Sequence, residues 1–131
     1  MPPVKTARKT KEVTSRPRGP LDMAHLAIDA IESKKGAQIV LLDVHAISMF
    51  TDYFLICSGD SERQIKAIAG GVEEALDKAG MKRLGQEGSA ESGWVLLDYG
   101  DLMIHVFSPE QRDYYGLEEL WKDAQTVVKI Q

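Results

Sequence analysis

Residues 94–107 read Trp94-Val95-Leu96-Leu97-Asp98-Tyr99-Gly100-Asp101-Leu102-Met103-Ile104-His105-Val106-Phe107, and the rest of the chain arranges itself around how they pair. Outside the central Asp98-Tyr99-Gly100-Asp101, nearly every residue is aliphatic or aromatic. That pattern predicts two strands, Trp94 to Asp98 and Asp101 to Phe107. Tyr99-Gly100 is the simplest two-residue hairpin connection between them.

Upstream, Gln38 to Val44 and Asp52 to Ser58 are short, nearly continuous apolar runs, the signature of strands covered on both faces. Strands so apolar need helices above or below them. One helix is predicted from Leu21, capped by Asp22, with Met23, Leu26, Ala27, Ala30 and Ile31 at helical spacing, Lys34-Lys35 near its end and Gly36 just beyond. A second follows Ser58-Gly59-Asp60-Ser61, with Asp60 or Ser61 as cap, a stripe of Ile65, Ile68, Ala69, Val72 and Leu76, and Gly80 as its stop. Lys82-Arg83-Leu84 reads as a short strand; if it runs parallel to its predecessor, a right-handed crossover is the default. The polar, glycine-rich residues 85–93 read as a loop. Downstream, Ser108-Pro109-Glu110-Gln111 reads as a helix start, with Pro109 at the first helical position and Gln111 at the capping-box position. The last helix carries Leu117, Leu120, Trp121 and Ala124. Together these predict a single-domain α/β fold, a mixed sheet of about five strands flanked by helices.

The 131 residues, 44% of them hydrophobic, support one modest core. No stretch approaches the roughly 20 apolar residues of a membrane span and no secretory h-region opens the chain, so a soluble cytoplasmic protein with no membrane contact is expected. The lone Cys57 has no cysteine partner for a disulfide or a zinc site. The net charge of -4 is uneven: residues 1–18 hold six Lys/Arg and one Glu, which leaves -9 on the remainder. Residues 1–20, with almost no large apolar side chain, read as a flexible basic arm, either a weak RNA or ribosome anchor or a plain solvated extension. The acidic remainder repels phosphate backbones and favours a positively charged protein surface.

The chemistry-bearing residues are sparse. His25, His45 and His105 lie far apart with no metal-ligand spacing, so no metal or other cofactor is expected. His105 reads as a satisfied, partly buried histidine. Cys57 precedes a strand-to-helix turn, where a thiol can be activated, yet it sits in an apolar strand, where a free cysteine acts as a small hydrophobe. Ser58-Gly59-Asp60-Ser61 could cradle a phosphate, but it is not a P-loop, and Asp60 and Glu62 place negative charge where the phosphate would sit. A residual nucleotide-binding or nucleotidyl-transfer enzyme is therefore the alternative reading, weakened by the lack of a carboxylate pair on a strand. What remains is surface: Trp94, Tyr99, Tyr114, Tyr115 and Trp121 are large amphipathic side chains of the kind that dominate binding hot spots. Trp121, at helical spacing from Leu117 and Leu120, reads as core. Tyr99, at a hairpin tip between two carboxylates, reads as contact surface or as a lid on the last helix.

The stretches Ile39 to Val44, Asp52 to Gly59, Ser61 to Ala69, Glu87-Gly88, Trp94 to Asp101, His105 to Phe107 and Arg112-Asp113-Tyr114-Tyr115-Gly116-Leu117-Glu118-Glu119-Leu120-Trp121 resemble, in order, the Iojap-like ribosomal silencing factors. The resemblance runs from about Leu21 to Ala124. It implies a nucleotidyltransferase-like fold without the transferase's carboxylates, and a non-enzymatic role. The family binds the large ribosomal subunit through ribosomal protein uL-fourteen, blocks joining of the small subunit and represses translation during nutrient limitation; it often appears as a homodimer. Carried over residue by residue, it makes Trp94, Leu97, Asp98, Tyr99 and Asp101 the expected contacts, with Arg63, Lys66, Arg112 and Tyr115 as further ones. For Arg63 and Arg112 the competing reading is an ion pair within the domain.

Overall fold

The computed structural model describes residues 19–131; the basic arm expected at residues 1–20 and the RNA contact weighed for it lie, apart from Gly19 and Pro20, outside them. The order is α1 (Pro20–Ser33), β1 (Ala37–Asp43), β2 (Tyr53–Ser58), α2 (Glu62–Lys78), β3 (Gly85–Ser89), β4 (Trp94–Asp98), β5 (Leu102–Phe107), α3 (Pro109–Tyr115), α4 (Leu117–Leu120) and β6 (Gln125–Ile130). One mixed sheet runs β3-β4-β5-β2-β1-β6, with β2 and β5 parallel and the other pairs antiparallel.

Both faces of the sheet are apolar, for different reasons. On one, α1 and α2 lay down the predicted stripes, and Ala27, Ile31, Ile65, Ile68, Val72 and Leu76 pack on Leu41, Leu55, Leu97, Leu102, Ile104 and Val106. Each such leucine or isoleucine contributes roughly 1.5–3 kcal/mol by leaving water. On the other face Val40, Leu42, Val44, Phe54, Ile56 and Phe107 form a smaller cluster, partly covered by Trp94, Met103, Leu117, Trp121 and Ala124. Trp121, expected as core, is partly buried and packs against this cluster, edge-on to Phe54 with centroids 5.2 Å apart, while its expected stripe neighbour Leu120 is exposed.

Cap chemistry sets the helix ends. Ser61 accepts the Gln64 backbone N–H, and the Gln64 side chain accepts from the Asp60 N–H while donating to the carbonyls of Lys34 and Lys35. It thereby fastens the start of α2 to the end of α1. Ser108 caps α3 through the Gln111 N–H, with Pro109 in the first turn. Asp22 is not the cap of α1: Gly19 is, with Pro20 next. At the other end of α1 it is Lys35, not Gly36, that turns left-handed (φ 65°). Gly36 serves close packing instead, since a Cβ there would lie 2.4 Å from Ile31 Cγ2.

Four further expectations are corrected. Residues 82–84 are not a strand; β3 lies at 85–89, in the segment expected to be a loop, antiparallel to β4 at the sheet edge. An edge strand needs only backbone pairing on one side, so its polar side chains gave no periodicity to read. The hairpin turn is displaced by one residue: the Tyr99 N–H closes on the Leu102 carbonyl, leaving Gly100-Asp101 in the centre with Gly100 at φ 85°. The last helix breaks at Gly116, left-handed at φ 57°, into α3 and the short α4. Beyond Ala124 the chain returns as β6 on the far side of β1, so the sheet has six strands where about five were expected.

Candidate partner-binding face

Alternation along β4 divides its side chains between the two faces. Val95 and Leu97 point into the helix-covered core; Trp94, Leu96 and Asp98 point to the other face and are only partly buried. Opposite them on that face stand Phe107, His105 and Met103 of β5, and Ser89 and Glu87 of β3. Trp94 stacks on Phe107 with centroids 4.9 Å apart and is met by Tyr115 at 4.4 Å. Its indole Nε1–H donates to His105 Nδ1 over 3.1 Å. Beside this assembly lies a hollow of about 270 Å³ lined by Glu87, Gly88, Ser92, Trp94, Leu96 and Tyr115. Gly88 is required there: it sits at φ 77°, and a Cβ would lie 2.1 Å from the Trp94 carbonyl oxygen.

The expected contact residues separate into several groups. Trp94 and Tyr115 meet, with Tyr115 48% exposed. Asp98 shares the Trp94 face; one of its carboxylate oxygens accepts the Gly100 N–H at 2.8 Å. Asp101 is exposed at the turn, and its carbonyl accepts the N–H groups of Asp52 and Tyr53. Leu97 and Tyr99 are a correction to the idea of a continuous contact segment: they are 0% and 7% exposed and belong to the helix-side core. Tyr99 packs by α2, not over the last helix, beside Glu73, Asp77 and Arg83, and burial pushes its hydroxyl pKa up to about 12. Arg63 and Lys66 are exposed on α2, in the layer behind Trp94. Lys66 pairs with Glu62 one helical turn away at 3.4 Å, whereas the ion pair weighed for Arg63 is not formed among the described residues. For Arg112 it is: 8% exposed, its guanidinium holds Glu118 in a two-pronged pair at 2.7 and 3.0 Å and donates to the Gln38 carbonyl and the Ser58 hydroxyl. This pairing holds the Glu118 carboxyl below its usual pKa. Leu96 and Glu87 were missed, although strict alternation from Trp94 would have found Leu96.

The other candidates are occupied internally. Cys57 is fully buried, and burial pushes its thiol up to about 12, far from a thiolate at neutral pH. In the turn after β2, the Gly59 N–H donates to the Phe107 carbonyl and the Asp60 N–H to Gln64, so these amides do not face a phosphate. Among the described residues no group of His, Cys, Asp and Glu could hold a metal ion, and no helix is long and apolar enough to cross a membrane. His105 is more buried than expected and only half satisfied: its Nε2 has no partner among the described residues, and burial pushes its pKa down to about 4.

Fold and face together define a mixed α/β domain that presents an aromatic cluster and an apolar hollow on the side of the sheet away from its two long helices. Comparison with known proteins gives this class a family. The model described as "Ribosomal silencing factor during starvation" matches residues 17–131, and the chain belongs to that family, the Iojap-like ribosomal silencing factors. It is 42% identical over 106 residues to ribosomal silencing factor RsfS of Halalkalibacterium halodurans, covering 81% of this chain and 91% of that one. Against RsfS of Bacillus subtilis it is 43% identical over 99 residues, 76% of this chain and 84% of the relative. The crystal structure of a Chromobacterium violaceum protein superposes with a TM-score of 0.75 at 40% identity, covering 78% of this chain and 85% of the other.

Proposed function

We propose that this protein binds the large ribosomal subunit in the cytoplasm through ribosomal protein uL-fourteen, blocks joining of the small subunit by steric occlusion, and so represses translation during nutrient limitation. The observation that carries the reading, beside family membership, is the half-buried Trp94 held between Phe107 and Tyr115 at the edge of an apolar hollow. Desolvated tryptophan and tyrosine dominate interface energetics, and the surrounding carboxylates suit a basic ribosomal protein, raising the encounter rate more than the final affinity. On this reading Trp94, Leu96 and Tyr115 make the apolar contact, Asp98 and Asp101 contribute charge, and Leu97 and Tyr99 hold the strand from behind. The scaffold is a nucleotidyltransferase-like fold used for docking.

Co-sedimentation with isolated large and small subunits, followed by a subunit-rejoining assay, tests this. The parent should pellet with the large subunit alone and prevent rejoining. Trp94→Ala should keep its fold and lose about 2 kcal/mol of affinity, roughly thirtyfold. Undiminished binding by Trp94→Ala would remove the docking assignment, and pelleting with neither subunit would remove the function.

A further inference from the structure

His105 is a polar side chain in the wrong place for stability. It is 4% exposed and lies among rings: Phe107 is stacked nearly parallel to it at 6.0 Å (7° between planes), Trp94 lies at 5.9 Å and Phe54 meets it edge-on at 5.1 Å. Nδ1 accepts the Trp94 indole N–H, so in the neutral ring the proton sits on Nε2, a buried donor with no partner among the described residues. An unsatisfied buried donor costs free energy that an apolar side chain of similar shape would not. The one thing His105 does that phenylalanine or leucine would not is accept from Trp94.

That acceptor settles something the surrounding rings leave open. Phe107 and Tyr115 constrain the plane of the indole. Aromatic packing discriminates weakly between the indole and the same indole turned over, which exchanges its pyrrole and benzo edges. The Nε1–H is the only polar group of the ring, and it can reach His105 in just one of the two orientations. With the N–H turned inward, the ring edge left at the surface carries only carbon.

We propose that His105 is a positioning residue for partner docking: it selects one orientation of the Trp94 indole, so that the face offers the partner an apolar edge with no hydrogen-bond donor. The inference rests on the docking role of Trp94 proposed above. It also names the partner's chemistry at this point, an apolar side chain seated against Trp94 and Leu96.

The test pairs two substitutions whose effects on fold and binding run in opposite directions. His105→Phe keeps a ring and removes the acceptor; His105→Asn is smaller but keeps an oxygen close to the place of Nδ1. Thermal midpoint, affinity for isolated large subunits and Trp94 emission in a Trp121→Phe background are read for each. His105→Phe should melt at or above the parent temperature, bind about tenfold more weakly and show shifted emission. His105→Asn should melt lower, yet bind within about threefold of the parent with parental emission. His105→Leu, also without an acceptor, serves should the Phe variant not fold. Parental binding by the acceptor-free variants, in a background where Trp94→Ala is weakened, overturns the inference; so does equal loss by Asn and Phe. If Trp94→Ala itself binds normally, the docking reading fails, and parental indole emission in His105→Phe then overturns the positioning role as well.

Discussion

The two faces of the sheet are built from the same strands and do different things. The face under α1 and α2 is aliphatic and closed: Leu41, Leu55, Leu97, Leu102, Ile104 and Val106 are all 0% exposed. The other face mixes aliphatic with aromatic side chains and is partly open, and it holds the buried His105 and Arg112, whose bonds are directional. Aliphatic burial has no preferred direction and depends on area, so it stabilises without specifying how any one side chain is presented. Ring stacking combined with hydrogen bonds orders particular side chains at some cost in stability. The lesson is a division of labour within single strands: β4 sends Leu97 to the face that holds the fold and Trp94 to the face proposed above for docking.

The largest effect expected from breaking that division is in the closed face. Leu97→Ala removes a fully buried side chain from between the sheet and the helix layer and should cost about 4 kcal/mol in urea unfolding. Affinity for the large subunit per folded molecule should remain parental, because Leu97 is fully buried behind the face proposed for docking. A comparable loss of affinity in the folded fraction would mean that the two faces are coupled. The next effect belongs to the open face and depends on pH. His105 is kept neutral by burial, its pKa lowered from 6.5 to about 4, and in the unfolded chain it returns to its ordinary value. Between those values the unfolded state binds a proton that the folded state does not, so stability falls as pH falls from 6.5 towards 4. The slope should approach about 1.4 kcal/mol per pH unit. Comparison with His105→Phe isolates it, since Glu118, whose pKa is lowered by Arg112, adds loss of the same sign in the acid range. An identical pH dependence in the two proteins would contradict a buried neutral imidazole.

Legibility in the sequence follows the same division. The helix-covered face is legible apart from Leu97 and Tyr99, because helical stripes such as Ile65, Ile68, Ala69, Val72 and Leu76 and apolar strand runs are periodic signals. Segments held chiefly by backbone pairing at an edge were not read. Gly85–Ser89 has no apolar alternation, and Gln125–Ile130 lies past the point where the last helix was expected to continue. The site was read in part. Trp94 and Tyr115 were named and do meet, but a contiguous motif was treated as a contiguous surface, although residues adjacent along a strand point to opposite faces. That error placed Leu97 and Tyr99 outside when they are inside. For Arg112 an ion pair within the domain is one of two readings the sequence leaves open, with no partner named, because its bonds to Gln38 and Ser58 span separations of 74 and 54 residues.

The smallest expected effect sharpens the comparison most finely, because it applies the same chemical change to both layers. Ser61 and Ser108 each cap a helix by accepting the N–H three residues on, and each serine to alanine change should cost about 1 kcal/mol. The consequences should differ in place. α2 has 17 residues and a buried stripe, so loss of its cap frays one end of a helix that packing otherwise holds. α3 has seven residues, too few to persist on helix propensity alone, and buries only Arg112. Its last residue, Tyr115, is the ring against Trp94. Ser108→Ala should therefore speed amide hydrogen exchange through residues 112–115 and broaden Trp94 emission in a Trp121→Phe background. Ser61→Ala, at equal thermodynamic cost, should leave both unchanged. If the two variants disturb Trp94 alike, the open face is ordered by global stability rather than by its own short helix, and the division between the faces is one of composition alone.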